Sequence, residues 1–133
     1  MPAASRTHAP DAAALERLAD AALARLPERF RALLNGVVLR VEEEAQEEVL
    51  AELGLESPWE LTGLYSGRSL REGSQWASGE LPPMIHLYRR ALLLEWIETG
   101  VPLEELITHV IVHEVGHHFG LSDEDMHALE EEA

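Results

Sequence analysis

Apolar residues recur at helical spacing from Asp11 to about Leu26, with Leu15, Leu18, Ala19, Ala22 and Leu26 on one stripe. Residues 1–10, with two prolines and no periodicity, predict a frayed tail. Pro27 interrupts the first helix, and Phe30, Leu33 and Leu34 predict a short second one that stops at the Asn35-Gly36 turn. Val37 to Val41 is β-branched and apolar, and reads as a strand. Glu42 to Leu53 follows as a helix with Val49, Leu50 and Leu53 inward and Gly54 as its stop. Ser57-Pro58-Trp59-Glu60 has the form of a capping box with proline in the first helical position, which predicts one helical turn.

Leu61 to Tyr65 and Met84 to Tyr88 predict two further strands. Between them residues 66–83 are rich in glycine, serine and proline, and form a long connection of the kind that often carries function. Ala91 to Ile97 predicts a short helix closed by Gly100. The main helix starts at Pro102, carries Glu104 and Glu105 in its first turn as the helix dipole favours, and runs to Phe119 before Gly120. Ser122 with Asp125 repeats the capping-box pattern and opens a terminal helix. The sum is an α+β fold over residues 1–133, one domain with a small sheet covered by helices.

Composition narrows the function. Ten Lys+Arg against 25 Asp+Glu give a net charge of −15, which disfavours nucleic acid and anionic membrane surfaces as partners. There is no cysteine, so any metal must be held by histidine and carboxylate. The N-terminal segment lacks the apolar run of a signal peptide, and a cytoplasmic protein is expected.

The chemistry concentrates in residues 113–123, H-E-V-G-H-H-F-G-L-S-D. On a helix, positions four apart lie about 40° apart around the axis and about 6 Å along it. His113 and His117 therefore share a face and can share one small cation, here Zn²⁺. Glu114 flanks them, as a base acting on water beside the metal should. A catalytic zinc takes three protein ligands, and Gly120 can turn the chain so that Asp123 supplies the third. A shuffled chain of this composition would contain the whole pattern with a probability of about 10⁻⁴, so the extended motif is specific where the short one alone is not.

Other histidines read differently. His109, one turn before His113, is a surface or supporting residue; His118 is about 100° from His117 and cannot share its metal; His127 is the alternative to Asp123. Gly116 inside the helix suggests close approach to the sheet. Tyr65, Arg68, His86 and Tyr88 are candidates for the cleft wall or for an oxyanion donor, with ordinary packing the simpler reading of each. Trp59, Trp76 and Trp96 read as core or loop anchors.

The motif H-E-x-x-H-x-x-G-x-x-D, preceded by LPPMIHLYRR and GLYSGRSL, resembles the minimal zincin family of small bacterial zincin-like metallopeptidases. The likeness covers roughly residues 35–130. It implies a short mixed sheet packed on the active-site helix, His113, His117 and Asp123 as zinc ligands, and Glu114 as catalytic base. It also implies that zinc activates a water for attack on a peptide carbonyl, with a peptide or protein as substrate. If 84–88 is the edge strand, that peptide could add to it beside the zinc. Glu42-Glu43-Glu44 departs from the Asp and Pro that family members tend to carry after the first strand. Two other classes are consistent with a zinc motif: a non-peptidase zinc hydrolase, and a catalytically silent acidic interaction module in which the metal ties the last helix to the core.

Overall fold

The computed structural model describes residues 8–67, 82–122, 124, 125 and 127. Helix α1 spans Ala12–Ala24 and is capped by the Asp11 side chain, which accepts the Ala14 N–H at 2.9 Å. The short helix α2, Glu28–Arg31, runs into a 3₁₀ turn at Ala32–Leu34. Strand β1 is Val38–Glu42, helix α3 is Glu47–Leu53, and strands β2 and β3 are Gly63–Ser66 and Met84–Tyr88. Helices α4, Arg89–Thr99, and α5, Leu103–Phe119, complete the set. The architecture is α+β, as the pattern of apolar positions predicts. None of the helices is long and apolar enough to cross a membrane among the described residues.

Several boundaries differ from the sequence reading: the strand expected over Leu61–Tyr65 lies at Gly63–Ser66, and the one expected over Val37–Val41 at Val38–Glu42. The helix expected from Glu42 begins only at Glu47, because Glu42 extends β1 and pairs in register with Tyr88. Glu43 and Glu44 instead form an acidic turn held by Arg89 and Arg90, with Glu43 3.0 Å from the Arg89 guanidinium. The turn that departs from the family pattern thus has its own ionic partners. Helix α4 is also longer than the apolar run Ala91–Ile97 suggests, since it starts directly where β3 ends.

The sheet has the order β1-β3-β2, with β1 parallel and β2 antiparallel to β3. Residues 84–88 are therefore the central strand. A peptide cannot add to them, because both of their edges are already paired; among the described residues the outer strands are β1 and β2. Alternation along the strands divides the side chains between two faces. Leu39, Val41, Ile85 and Leu87 face the main core, where Ile107, Ile111, Val112 and Val115 of α5 meet Leu15 and Ala19 of α1. On the other face a smaller cluster of Ala45, Leu50, Tyr88 and Ala91 seats α3.

Strand β2 lies against α5 closely enough to require glycine. A Cβ on Gly63 would overlap a Val110 methyl and press on the His86 carbonyl oxygen at 3.2 Å. Gly63→Ala is expected to cost about 1–3 kcal/mol as an overpacking change, read as a lower urea midpoint with unchanged slope. Pairing it with Val110→Ala should recover part of that loss; strict additivity of the two would contradict the contact.

Tyr88 gives a second test. Burial first, then the carboxylates of Glu42 and Glu114, push its phenol up to about 12. An unfolded tyrosine ionises near pH 10, so stability from this group is full below about pH 10 and is lost as the pH rises to about 12. All ten basic side chains are arginines, which hold their charge across this window. The denaturation midpoint should therefore fall between about pH 10 and 12, and Tyr88→Phe should flatten that fall. Parallel curves for the two proteins would refute the assignment.

Candidate metal centre

Helix α5 carries the site. Its N-cap is Pro102, and its C-terminus ends in a Schellman turn, with Gly120 N–H donating to His117 O at 3.1 Å and Leu121 N–H to Gly116 O at 2.9 Å. Gly120 adopts φ 71°, the left-handed conformation that glycine tolerates without a Cβ penalty. The chain beyond Phe119 is thereby turned back toward the helix end. Gly116, the helical glycine of the motif, is buried and provides one of the two carbonyls in that turn.

His113 and His117 project together from the final two turns. Their Nε2 atoms face one another at 3.1 Å, with ring planes 79° apart. Two imidazoles so placed either share a single proton or present both lone pairs to one cation. Zinc binds histidine nitrogen at about 2.0–2.1 Å, which puts two tetrahedral ligand atoms about 3.3–3.4 Å apart. The observed separation is within a few tenths of an ångström of that, so the spacing of the pair fits zinc. Ligand atoms of His113, Glu114 and His117 all lie within 4.8 Å of one another.

Glu114 sits one face further round α5, against β2, and is buried at 7% exposure. Burial pushes its carboxyl up to about 7, and the Tyr65 backbone N–H opposes that rise by donating to the carboxylate. The strand register explains why this N–H is available. Tyr88 N–H donates to Thr62 O at 2.9 Å, so Thr62 is a hydrogen-bonded partner of β3 and the alternation leaves Gly63 and Tyr65 with backbone groups directed to the outer edge. A carboxylate near neutrality beside convergent histidines is the pattern of a proton-transfer site.

The Tyr65 side chain reaches the next turn of the same helix face. His118 Nε2 lies 3.3 Å from the Leu33 carbonyl, which can only accept, so Nε2 carries the proton and Nδ1 accepts from the Tyr65 hydroxyl at 2.8 Å. Burial lowers the pKa of His118, consistent with a neutral ring. His118 is thus a buried brace. The doubled part played by Tyr65, backbone to Glu114 and hydroxyl to His118, has no mark in the sequence beyond the aromatic residue itself.

The remaining candidates separate. Asp123, Arg68 and Trp76 lie outside the described residues. Asp125 N–H donates to Ser122 Oγ at 3.2 Å, as the second capping box requires. His109 and His127 are exposed and stand apart from the three-residue group, His109 beside Arg25 and Thr108 on the surface. His86 lies on the face of the sheet away from α5, and Tyr88 stacks on it with ring planes 12° apart. Trp59 is half exposed, while Trp96 packs on the main core.

No curated protein matches the chain. The model of the zincin-like metallopeptidase family matches residues 34–133, which takes in all three strands, α3 to α5 and the whole His-Glu-His group. A chain with a short mixed sheet packed on a helix that presents H-E-x-x-H, and with three quarters of its length matched, belongs to the zincin-like metallopeptidase family.

Proposed function

We propose that the protein is a zinc-dependent peptidase in which His113, His117 and Asp123 hold the metal and Glu114 is the general base. The observation that carries this reading is the convergence of the two Nε2 atoms at 3.1 Å beside a buried carboxylate of raised pKa. The donor set is nitrogen and oxygen, which suits zinc and, with three protein ligands, leaves a coordination position open. When bound, zinc supplies a Lewis acid and a water of lowered pKa. Glu114 then accepts the proton of the attacking water and returns it to the leaving amine.

The Tyr65 N–H holds the carboxylate in place without neutralising it, so the base keeps both its position and its affinity for a proton. Substrate binding moves from the central strand to β2. β2 is an outer strand of the sheet among the described residues and its Tyr65 N–H already donates to Glu114, so an extended peptide would lie along this strand beside the base.

Zinc content and cleavage of a peptide library, measured together on wild type and two variants, test this. Wild type should bind about one equivalent of zinc and cleave. Glu114→Gln should bind zinc equally and lose about 10²–10⁴ in rate. His113→Ala should lose the metal. Full zinc binding with equally negligible cleavage by wild type and Glu114→Gln would end the peptidase reading. Zinc binding that His113→Ala leaves unchanged would remove the site.

A further inference from the structure

The face of the sheet away from α5 carries a second set of reactive side chains. Even-numbered strand residues point there: Arg40 and Glu42 from β1, Leu64 and Ser66 from β2, and Met84, His86 and Tyr88 from β3. His86, in the central strand, bonds at both ring nitrogens. Its Nδ1 lies 2.6 Å from Glu42 Oε1 and its Nε2 lies 3.0 Å from Ser66 Oγ. A carboxylate accepts, so Nδ1 carries the proton; Nε2 then offers its lone pair, and the Ser66 hydroxyl donates to it. Three strands thus contribute one residue each to a hydroxyl–imidazole–carboxylate relay, the arrangement that activates a serine oxygen.

The relay is accessible. It opens into a groove of about 490 Å³ between this face of the sheet and α3, within the size range of small-molecule sites. Val49, Leu53, Leu64 and Met84 give the groove apolar walls, and Arg40, the register partner of His86, lines it together with Gln46 and Glu52. Tyr88 lies stacked beside the His86 ring, with centroids 6.1 Å apart. The zinc-binding face is on the other side of the sheet and uses none of these three residues.

We propose that Ser66, His86 and Glu42 form a second, metal-independent site that transfers acyl groups from esters of small apolar carboxylic acids. Ser66 Oγ bonds to the ester carbonyl carbon as its proton passes to His86 Nε2. The bond from that carbon to the alcohol oxygen breaks, and the alcohol leaves with the proton held by His86. Water then attacks the acyl-serine, giving a proton to His86 Nε2; the carboxylic acid departs and the proton returns to Ser66. Glu42 holds the ring in the required tautomer and balances its transient charge. The apolar walls take the acyl chain.

The full-length protein, wild type and Glu114→Gln, both treated with chelator, is exposed to an alkyl fluorophosphonate and to p-nitrophenyl butyrate. Ser66 should be labelled at the same rate in both, with the adduct mapped by mass spectrometry, and Ser66→Ala should carry no adduct at that peptide. His86→Gln, which keeps a hydrogen-bonding side chain but no base, should slow labelling and ester turnover by about 10²–10⁴-fold, with its fold checked by circular dichroism. Wild-type Ser66 that reacts no faster than the other serines of the chain would overturn the proposal. So would a folded His86→Gln protein that labels at the wild-type rate. Neither result bears on the peptidase reading, which depends on zinc and Glu114.

Discussion

The contact between β2 and α5 is the constraint on which the rest of the site depends. Gly63 lets the strand approach until a Val110 methyl fills the space a Cβ would need, with the Glu114 side chain in ordinary contact beside it. At that distance the Tyr65 backbone N–H, left over by the sheet's alternation, reaches the Glu114 carboxylate. The same approach buries Glu114 and raises its pKa, so position and proton affinity have one cause. The Tyr65 hydroxyl extends the tie to His118, which is braced in turn by the Leu33 carbonyl. With Glu114 and His118 fixed on one face of α5, the adjoining face holding His113 and His117 has its orientation set as well.

Much of this was legible in the sequence where the cause is local. Met84–Tyr88 is a strand with the bounds its alternation predicts, and Gly54, Gly100 and Gly120 end helices in the left-handed conformation. The capping box at Ser57 and Glu60 forms with both of its hydrogen bonds. The metal motif was legible because four-residue spacing on a helix determines which side chains meet. What the sequence did not disclose depends on distant pairing. Strand order is one case: nothing within 84–88 says that β1 and β2 both pair with it. Glu42 is another, since a glutamate run favours helix locally, while pairing with Tyr88 and a bond to His86, 44 residues away, draw it into the strand. Backbone donors are a third, for the N–H of Tyr65 carries no mark of its type.

The sheet acts as a partition. Odd-numbered strand positions build the main core and support the metal face, while even-numbered ones collect Glu42, Ser66 and His86 around a groove of their own. One-residue alternation is enough to keep the two sets apart, because each step along a strand reverses the face. Tyr65 and Ser66, adjacent in β2, accordingly serve opposite sides: one holds Glu114 and His118, the other bonds His86.

In the proposed site the end of α5 holds zinc between His113 and His117, with Glu114 beside it. X-ray absorption at the zinc edge of the loaded protein tests it most directly. The spectrum should show two imidazole ligands with oxygen donors completing the shell, should persist in Glu114→Gln, and should lose imidazole scattering in His113→Ala and in His117→Ala. A zinc shell without imidazole, or one that both histidine substitutions leave unchanged, would remove the two histidines as ligands.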